Sequence, residues 1–180
     1  MNYNEVLIFL NYIYEFYPDL NDRGVYDLLC KYGLAESDKS KNIKNEGYFD
    51  YFISRISSTF KHTSAFCDEK WKNFCQFENI NKKEPKSYIK IYIPIKYSHV
   101  LKSTIKIFNF LDSNNIFHRS KISDAIRSDN IVVRLENDDY DSLKKLLNFM
   151  ENDNYIKQGL NKCNPFVPTN WSKSGIGILI

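Results

Sequence analysis

The clearest pattern in the chain lies in its second half. Tyr88–Ile95 alternates strictly, with Ile89, Ile91, Ile93 and Ile95 on one side and Tyr88, Lys90 and Tyr92 on the other. A period of two marks a strand with one buried face, and Pro94 belongs at its end or on a sheet edge. The period then lengthens to that of a helix. Leu101, Thr104, Ile105, Phe108 and Leu111 form one stripe over residues 98–112, and Ser113–Asn115 makes the turn after it. Strands are predicted over 116–122 and 131–136. Asn137–Asp139 then caps a helix carrying Tyr140, Leu143, Leu146, Leu147 and Met150 inward. A loop over 159–174 and a closing strand over 175–180 complete the pattern.

The first sixty residues have helical spacing. Val6, Phe9, Leu10, Ile13 and Tyr17 share one stripe that Pro18 ends. Asp22 opens a second helix with Val25, Leu28, Leu29 and Tyr32 inward, stopping at Gly33. Phe49, Phe52, Ile53, Ile56 and Phe60 predict a third, and Trp71 with Phe74 a short one over 68–77. A polar segment over 78–87, containing Pro85, reads as a linker. The expected organisation is a helical N-terminal part over 1–80, then an α+β domain over 86–180 in the order β-α-β-β-α, with a possible last β. The two parts are expected to pack together, because Phe49, Phe52 and Phe60 need a cover.

Composition narrows the function classes. With 43% hydrophobic and 16% aromatic residues in 180, the chain can build a core and is not a disordered tail. The longest apolar run, Val6–Leu10, is far short of the ~18 residues that span a bilayer, and no signal peptide is visible. A soluble, cytoplasmic protein without a membrane partner is expected. A formal charge of +3 is too small to announce a nucleic-acid binder, and its sign argues against an acidic DNA mimic. Nucleic acid is therefore not expected as a direct ligand. Cys30, Cys67, Cys75 and Cys163 show no CxxC and no paired ligand spacing, so neither a metal nor a cofactor is expected. The chain lacks the P-loop, nucleophile-elbow, zincin and dinucleotide-binding motifs.

The candidate chemistry lies on the strand faces that the helices do not cover. The first strand offers Tyr88, Lys90 and Tyr92 there, the third Val132 and Arg134, and the intervening loop Arg127. In the second strand, alternation places Phe117, Arg119 and Lys121 on one side and His118 on the other. Cations gathered on adjacent strands favour an anion, with phosphate the usual one. They also lower one another's pKa, which prepares a lysine to act as a base. The plain alternative is a solvated face with ordinary lysines.

The runs YIKIYIPI, IFHRSKIS and IRSDNIVVRLEN, with the helices between and after them, resemble the core of the HopA-type effector family of bacterial type III secretion. The family pattern resembles Tyr-x-Asn on a strand, then Phe-x-x-Lys-Val, then Arg-x-Asp-x-x-Val. Here it falls on Tyr92–Pro94, on Phe117–Ile122 with Lys121, and on Arg127–Val132 with Asp129. The resemblance covers roughly the last 95 residues. That family is similar in turn to the phosphothreonine lyases, in which a lysine takes the α-proton, a histidine protonates the leaving phosphate and arginines hold it. The resemblance implies Lys121 as the base, Arg127 and Arg134 as phosphate clamps, and Lys90 as the lysine flanking the acid. The lyases carry Lys-x-His on the first strand, where this chain has Lys90-Ile91-Tyr92. Tyr92 is thus the implied acid, a poorer one near neutral pH. His118 is the possible substitute, though alternation turns it away from Lys121.

The expectation is a domain that recognises phosphate or a phospho-residue, with weak or absent lyase-like activity, its partner a protein or a phosphorylated peptide. The alternative is a non-catalytic, anti-CRISPR-like inhibitor from a mobile element that binds a host defence enzyme. It fits a small, aromatic-rich, near-neutral chain in which lysine outnumbers arginine 20 to 5, a bias of A/T-rich genomes. An RNA-binding sheet is a third class, but the strand IVVRLE lacks the Gly-aromatic pattern of its signature.

Overall fold

In a computed structural model of the chain, residues 3–31, 46–60, 63–67, 74–79, 87–123, 130–161 and 176–179 are described. The chain forms two compact units, Met1–Ser40 and Lys41–Ile180. The first contains helices α1 (Tyr3–Phe16) and α2 (Asp22–Lys31). Within α1 and just after it, Tyr12 packs on Phe16 and Tyr17, with ring centroids 4.6 and 6.4 Å apart. The cap of α2 is Asn21, one residue before the expected Asp22; its Oδ1 accepts from the Gly24 N–H at 2.9 Å.

The second unit is α+β. It comprises α3 (Glu46–Thr59), β1 (Thr63–Cys67), β2 (Phe74–Asn79), β3 (Tyr88–Ile93), a 3-10 turn (Tyr97–His99), α4 (Val100–Ser113), β4 (Arg119–Ser123), β5 (Ile131–Glu136), α5 (Tyr140–Asn152), α6 (Asn154–Gly159) and β6 (Gly177–Leu179). The strands form one six-stranded antiparallel sheet in the order β1-β2-β4-β5-β3-β6. Four of them, β6-β3-β5-β4, with α4 and α5 as crossovers, have the split βαβ arrangement; β2 and β1 extend it beyond β4.

Alternation in β3 fixes the core. Ile89, Ile91 and Ile93 are buried and lie opposite Leu135, Val133 and Ile131 of β5. Phe108, Leu111, Leu143, Leu146, Leu147 and Met150 of α4 and α5 join them, with Ile105 at the margin. Phe110 stacks on Phe149 at 4.3 Å, joining α4 to α5. Asp139 caps α5 by accepting from Ser142 N at 3.1 Å. Asp153, whose capping of α6 the sequence pattern did not reveal, accepts from Tyr155 N and Ile156 N and pairs with Lys106 at 2.6 Å. Burial works to raise the Asp153 pKa, but the Lys106 ammonium and the two N–H groups hold it below its ordinary value.

Four expectations are corrected. Residues 1–80 are not wholly helical, because β1 and β2 lie within them and pair into the main sheet. Phe74 and Phe77, spaced as on a helix, fall in a strand, where Phe77 is buried 5.7 Å from the Phe108 ring. Sheet pairing and tertiary packing override the local spacing. The boundary near 78–87 is not where the chain divides: α3 belongs to the second unit, with Ile56 and Phe60 in its core and Phe60 edge-on to Phe108 at 5.4 Å. The second strand starts at Arg119 rather than Ile116. Before it, Asn115 has a left-handed φ of 52°, and the Asn79 side chain binds the chain by donating to Ile116 O and accepting from His118 N. The first strand ends at Ile93, not Ile95. Pro94 cannot donate to a ladder, and beyond it Ile95 forms an isolated bridge to Leu160.

Buried Asn130 serves as a short piece of ladder at that break. Its Oδ1 accepts from Ile95 N at 3.0 Å and its Nδ2 donates to Ile95 O at 2.6 Å. Asn130→Ala leaves both backbone groups buried without that partner, at about 1–3 kcal/mol each. Urea denaturation is expected to show a loss in that range or above it; a change under about 0.5 kcal/mol, the range of ordinary surface substitutions, would contradict this role.

Candidate functional site

Antiparallel register places directly opposed residues on the same face. On the face away from α4 and α5, Arg119 of β4 lies opposite Arg134 of β5, and Arg134 lies opposite Lys90 of β3. Three cations therefore stand in one row across three strands. With strands about 4.8 Å apart, the row spans roughly 10 Å at the backbone, well within the combined reach of these side chains. Glu78 of β2 closes the row opposite Arg119, with Arg119 Nε and Glu78 Oε2 3.5 Å apart.

The next row on the same face holds Lys121, Val132, Tyr92 and Gly177, from β4, β5, β3 and β6. On the other side of the cation row, Tyr88 faces Glu136. Lys90, Tyr92, Arg119, Lys121 and Arg134 are all partly buried, and Val132 between Lys121 and Tyr92 is buried. The Arg134 Nε is buried with no hydrogen-bond partner among the described residues. A buried guanidinium N–H in that state is costly until an acceptor reaches it.

Of the residues the sequence singles out, Lys90, Tyr92, Lys121 and Arg134 thus share one face. Arg127 lies outside the described residues. Arg119 completes the row; alternation had put it beside Lys121, but no family motif marks it. Glu78 sat in what reads as a linker from sequence, so its place at the row's end becomes visible only through the pairing of β2 with β4.

His118 is not part of this face. It lies fully buried on the core side, its ring 4.8 Å from that of Phe108. Nδ1 shares a 2.8 Å hydrogen bond with Ser120 Oγ; Nε2 is 4.0 Å from Asp112 Oδ1 and has no hydrogen-bond partner among the described residues. Burial pushes its pKa down to about 4, and Asp112 at that distance does not offset the desolvation. The candidate role of His118 as proton donor is therefore corrected. It is neutral near pH 7, it is enclosed, and alternation sends it through the sheet from Lys121.

Among the described residues, no group of three or more His, Cys, Asp or Glu could hold a metal ion, and no helix is long and apolar enough to cross a membrane. Neither a family model nor a curated protein matches the chain.

The buried histidine sets a pH dependence. Its folded pKa, about 4, lies below the unfolded value near 6.5, so the unfolded chain binds the extra proton. The linked stability is fully present above about pH 6.5 and is lost as pH falls toward 4, amounting to roughly 3 kcal/mol. His118→Gln is expected to remove this component. Denaturation at pH 7 and pH 4.5 should show the wild type losing more stability than the variant; equal losses would mean the imidazole does not titrate this way.

Proposed function

We propose that this sheet face recognises phosphate, carried by a phosphorylated residue of a protein or peptide, with little or no elimination activity. The observation that carries the reading is the row Arg119–Arg134–Lys90. Like charges directly opposite each other weaken a sheet, and this row contains two such contacts in succession. Glu78 pairs with Arg119 at one end of the row. A phosphate above Arg134 would neutralise the rest and supply the acceptor that the Arg134 Nε lacks. Two or three charge-assisted hydrogen bonds, each contributing about 1.5–3 kcal/mol, give a binding site of useful strength. The resemblance to HopA-type effectors supports the same reading, since Lys90, Lys121 and Arg134 are among the residues it singles out.

Elimination needs more than a clamp. Lys121 would take the α-proton, and the leaving phosphate would need a proton from an acid. Tyr92 is the remaining candidate on this face, one row from the clamp and across Val132 from Lys121. A phenol is intrinsically a weaker proton donor than an imidazolium at neutral pH, and loss of general acid help typically costs ~10²–10⁴ in rate. Recognition without turnover is the outcome this chemistry favours.

A second reading, the non-catalytic inhibitor of a host enzyme, draws on α1. Leu7, Ile8, Tyr12, Tyr14 and Phe16 of that helix are all exposed, a concentration of apolar area that suits protein contact. It gains if Ile8→Asp abolishes inhibition of a host enzyme while Lys121→Ala with Arg134→Ala leaves it intact.

Calorimetry with inorganic phosphate and with a phosphothreonine peptide tests the first reading. Binding is expected in the wild type and is expected to vanish in Lys121→Ala with Arg134→Ala. Mass spectrometry of the peptide should find little or no dehydrobutyrine. Binding unaffected by the double substitution would reject the site; rapid elimination that survives Lys121→Ala would reject the assigned base.

A further inference from the structure

Among the described residues, the cation cluster has carboxylates at its margins. Along the row, Glu78 stands next to Arg119. Along β5, Glu136 follows Arg134 on the same face, opposite Tyr88, and is exposed. On the third side, β6 sets Leu179 opposite Lys90 and Gly177 opposite Tyr92 and adds no charge at either position. Among the described residues, the cations of this face are Arg119, Arg134, Lys90 and Lys121, and a carboxylate stands on two of their margins.

Such a shape discriminates between kinds of phosphate. A monoester is terminal: its charge of about −1.5 to −2 is gathered on one group, which fits inside the cluster. A phosphodiester carries one charge per unit and must continue in both directions, so a chain that follows the cation row meets Glu78 and one that follows β5 meets Glu136. Repulsive elements of this kind set specificity as effectively as attractive ones. Resting on the phosphate reading above, we infer that Glu78 and Glu136 are specificity residues that admit a phosphate monoester and reject a polyphosphodiester such as single-stranded nucleic acid. Glu78 has a second effect. By pairing with Arg119 it draws that guanidinium toward β2, so the clamp centres on Arg134 and Lys90.

The test compares two probes at one low ionic strength. Phosphothreonine peptide is titrated by calorimetry and a fluorescent ten-residue oligothymidylate by anisotropy. Each is measured on the wild type, on Glu78→Gln with Glu136→Gln, and on Asp141→Asn with Glu151→Gln. The last pair lies on α5, in the helical layer, and removes the same net charge. The wild type is expected to prefer the peptide by about tenfold or more, given the cost of like-charge contacts. In the Glu78/Glu136 variant, oligothymidylate should gain about tenfold while the peptide gains no more than about threefold; the α5 control should leave the ratio unchanged.

Peptide binding with a ratio that does not respond to the Glu78/Glu136 substitutions overturns the role of the carboxylates and leaves the phosphate site standing. That role is equally overturned if the α5 control moves the ratio as much, or if oligothymidylate binds the wild type as tightly as the peptide. Failure of both probes to bind the wild type removes the site itself.

Discussion

The structure depends on the pairing of β3 with β5. Ile89, Ile91 and Ile93 bury themselves opposite Leu135, Val133 and Ile131, and that hydrophobic match admits one register. A slip of one residue would turn three isoleucines out of the core and bring Tyr88, Lys90 and Tyr92 into it. At about 1.5–3 kcal/mol for each buried aliphatic side chain, the alternative is out of reach. Once the isoleucines face α4 and α5, the position of Lys90 beside Arg134 is no longer a choice. The like-charge contact is a by-product of a strong apolar constraint, and the sequence could have relieved it with a neutral residue at either position. Both positions are cationic instead.

The same alternation separates two kinds of polar residue in β4 and the segment leading into it. Arg119 and Lys121 join the cation face, while His118 and Ser120 enter the core and hydrogen-bond to each other there. One element thus serves ligand chemistry on one side and buried-polar accommodation on the other. The core side is not fully satisfied: Ser103 Oγ, Thr104 Oγ1 and His118 Nε2 are buried without hydrogen-bond partners among the described residues. Such groups cost stability.

Much of the second unit was legible because its signals were local and strong. A period of two through β3 and β5, the stripe of α4 and the Asp139 cap each identify an element without help from the rest of the chain. The face assignments of Lys90, Lys121, Arg134 and His118 follow from the same alternation. Elements held by long-range pairing were less visible. β2 contains Phe74 and Phe77 at a spacing that imitates a helix, and only its ladder with β4 makes it a strand. Glu78 was hidden for the same reason, since nothing near it in sequence carries the cations that it borders. The strand boundary at Arg119 rests on the Asn79 side chain, thirty-nine positions away from His118, a bond that no local pattern encodes.

The topology also governs when the cation row can exist. β3 reaches its place between β5 and β6 only after α4, β4 and β5 have been laid down, and β6 pairs with it from still further along the chain. These are contacts of high sequence separation, whose loop-closure entropy must be met before they contribute. Arg119 and Arg134 face each other across consecutive strands, 15 positions apart, whereas Lys90 meets Arg134 across 44 positions, so the closure cost falls mainly on the Lys90 contact. The like-charge contact of Lys90 therefore exists only where that long-range pairing does.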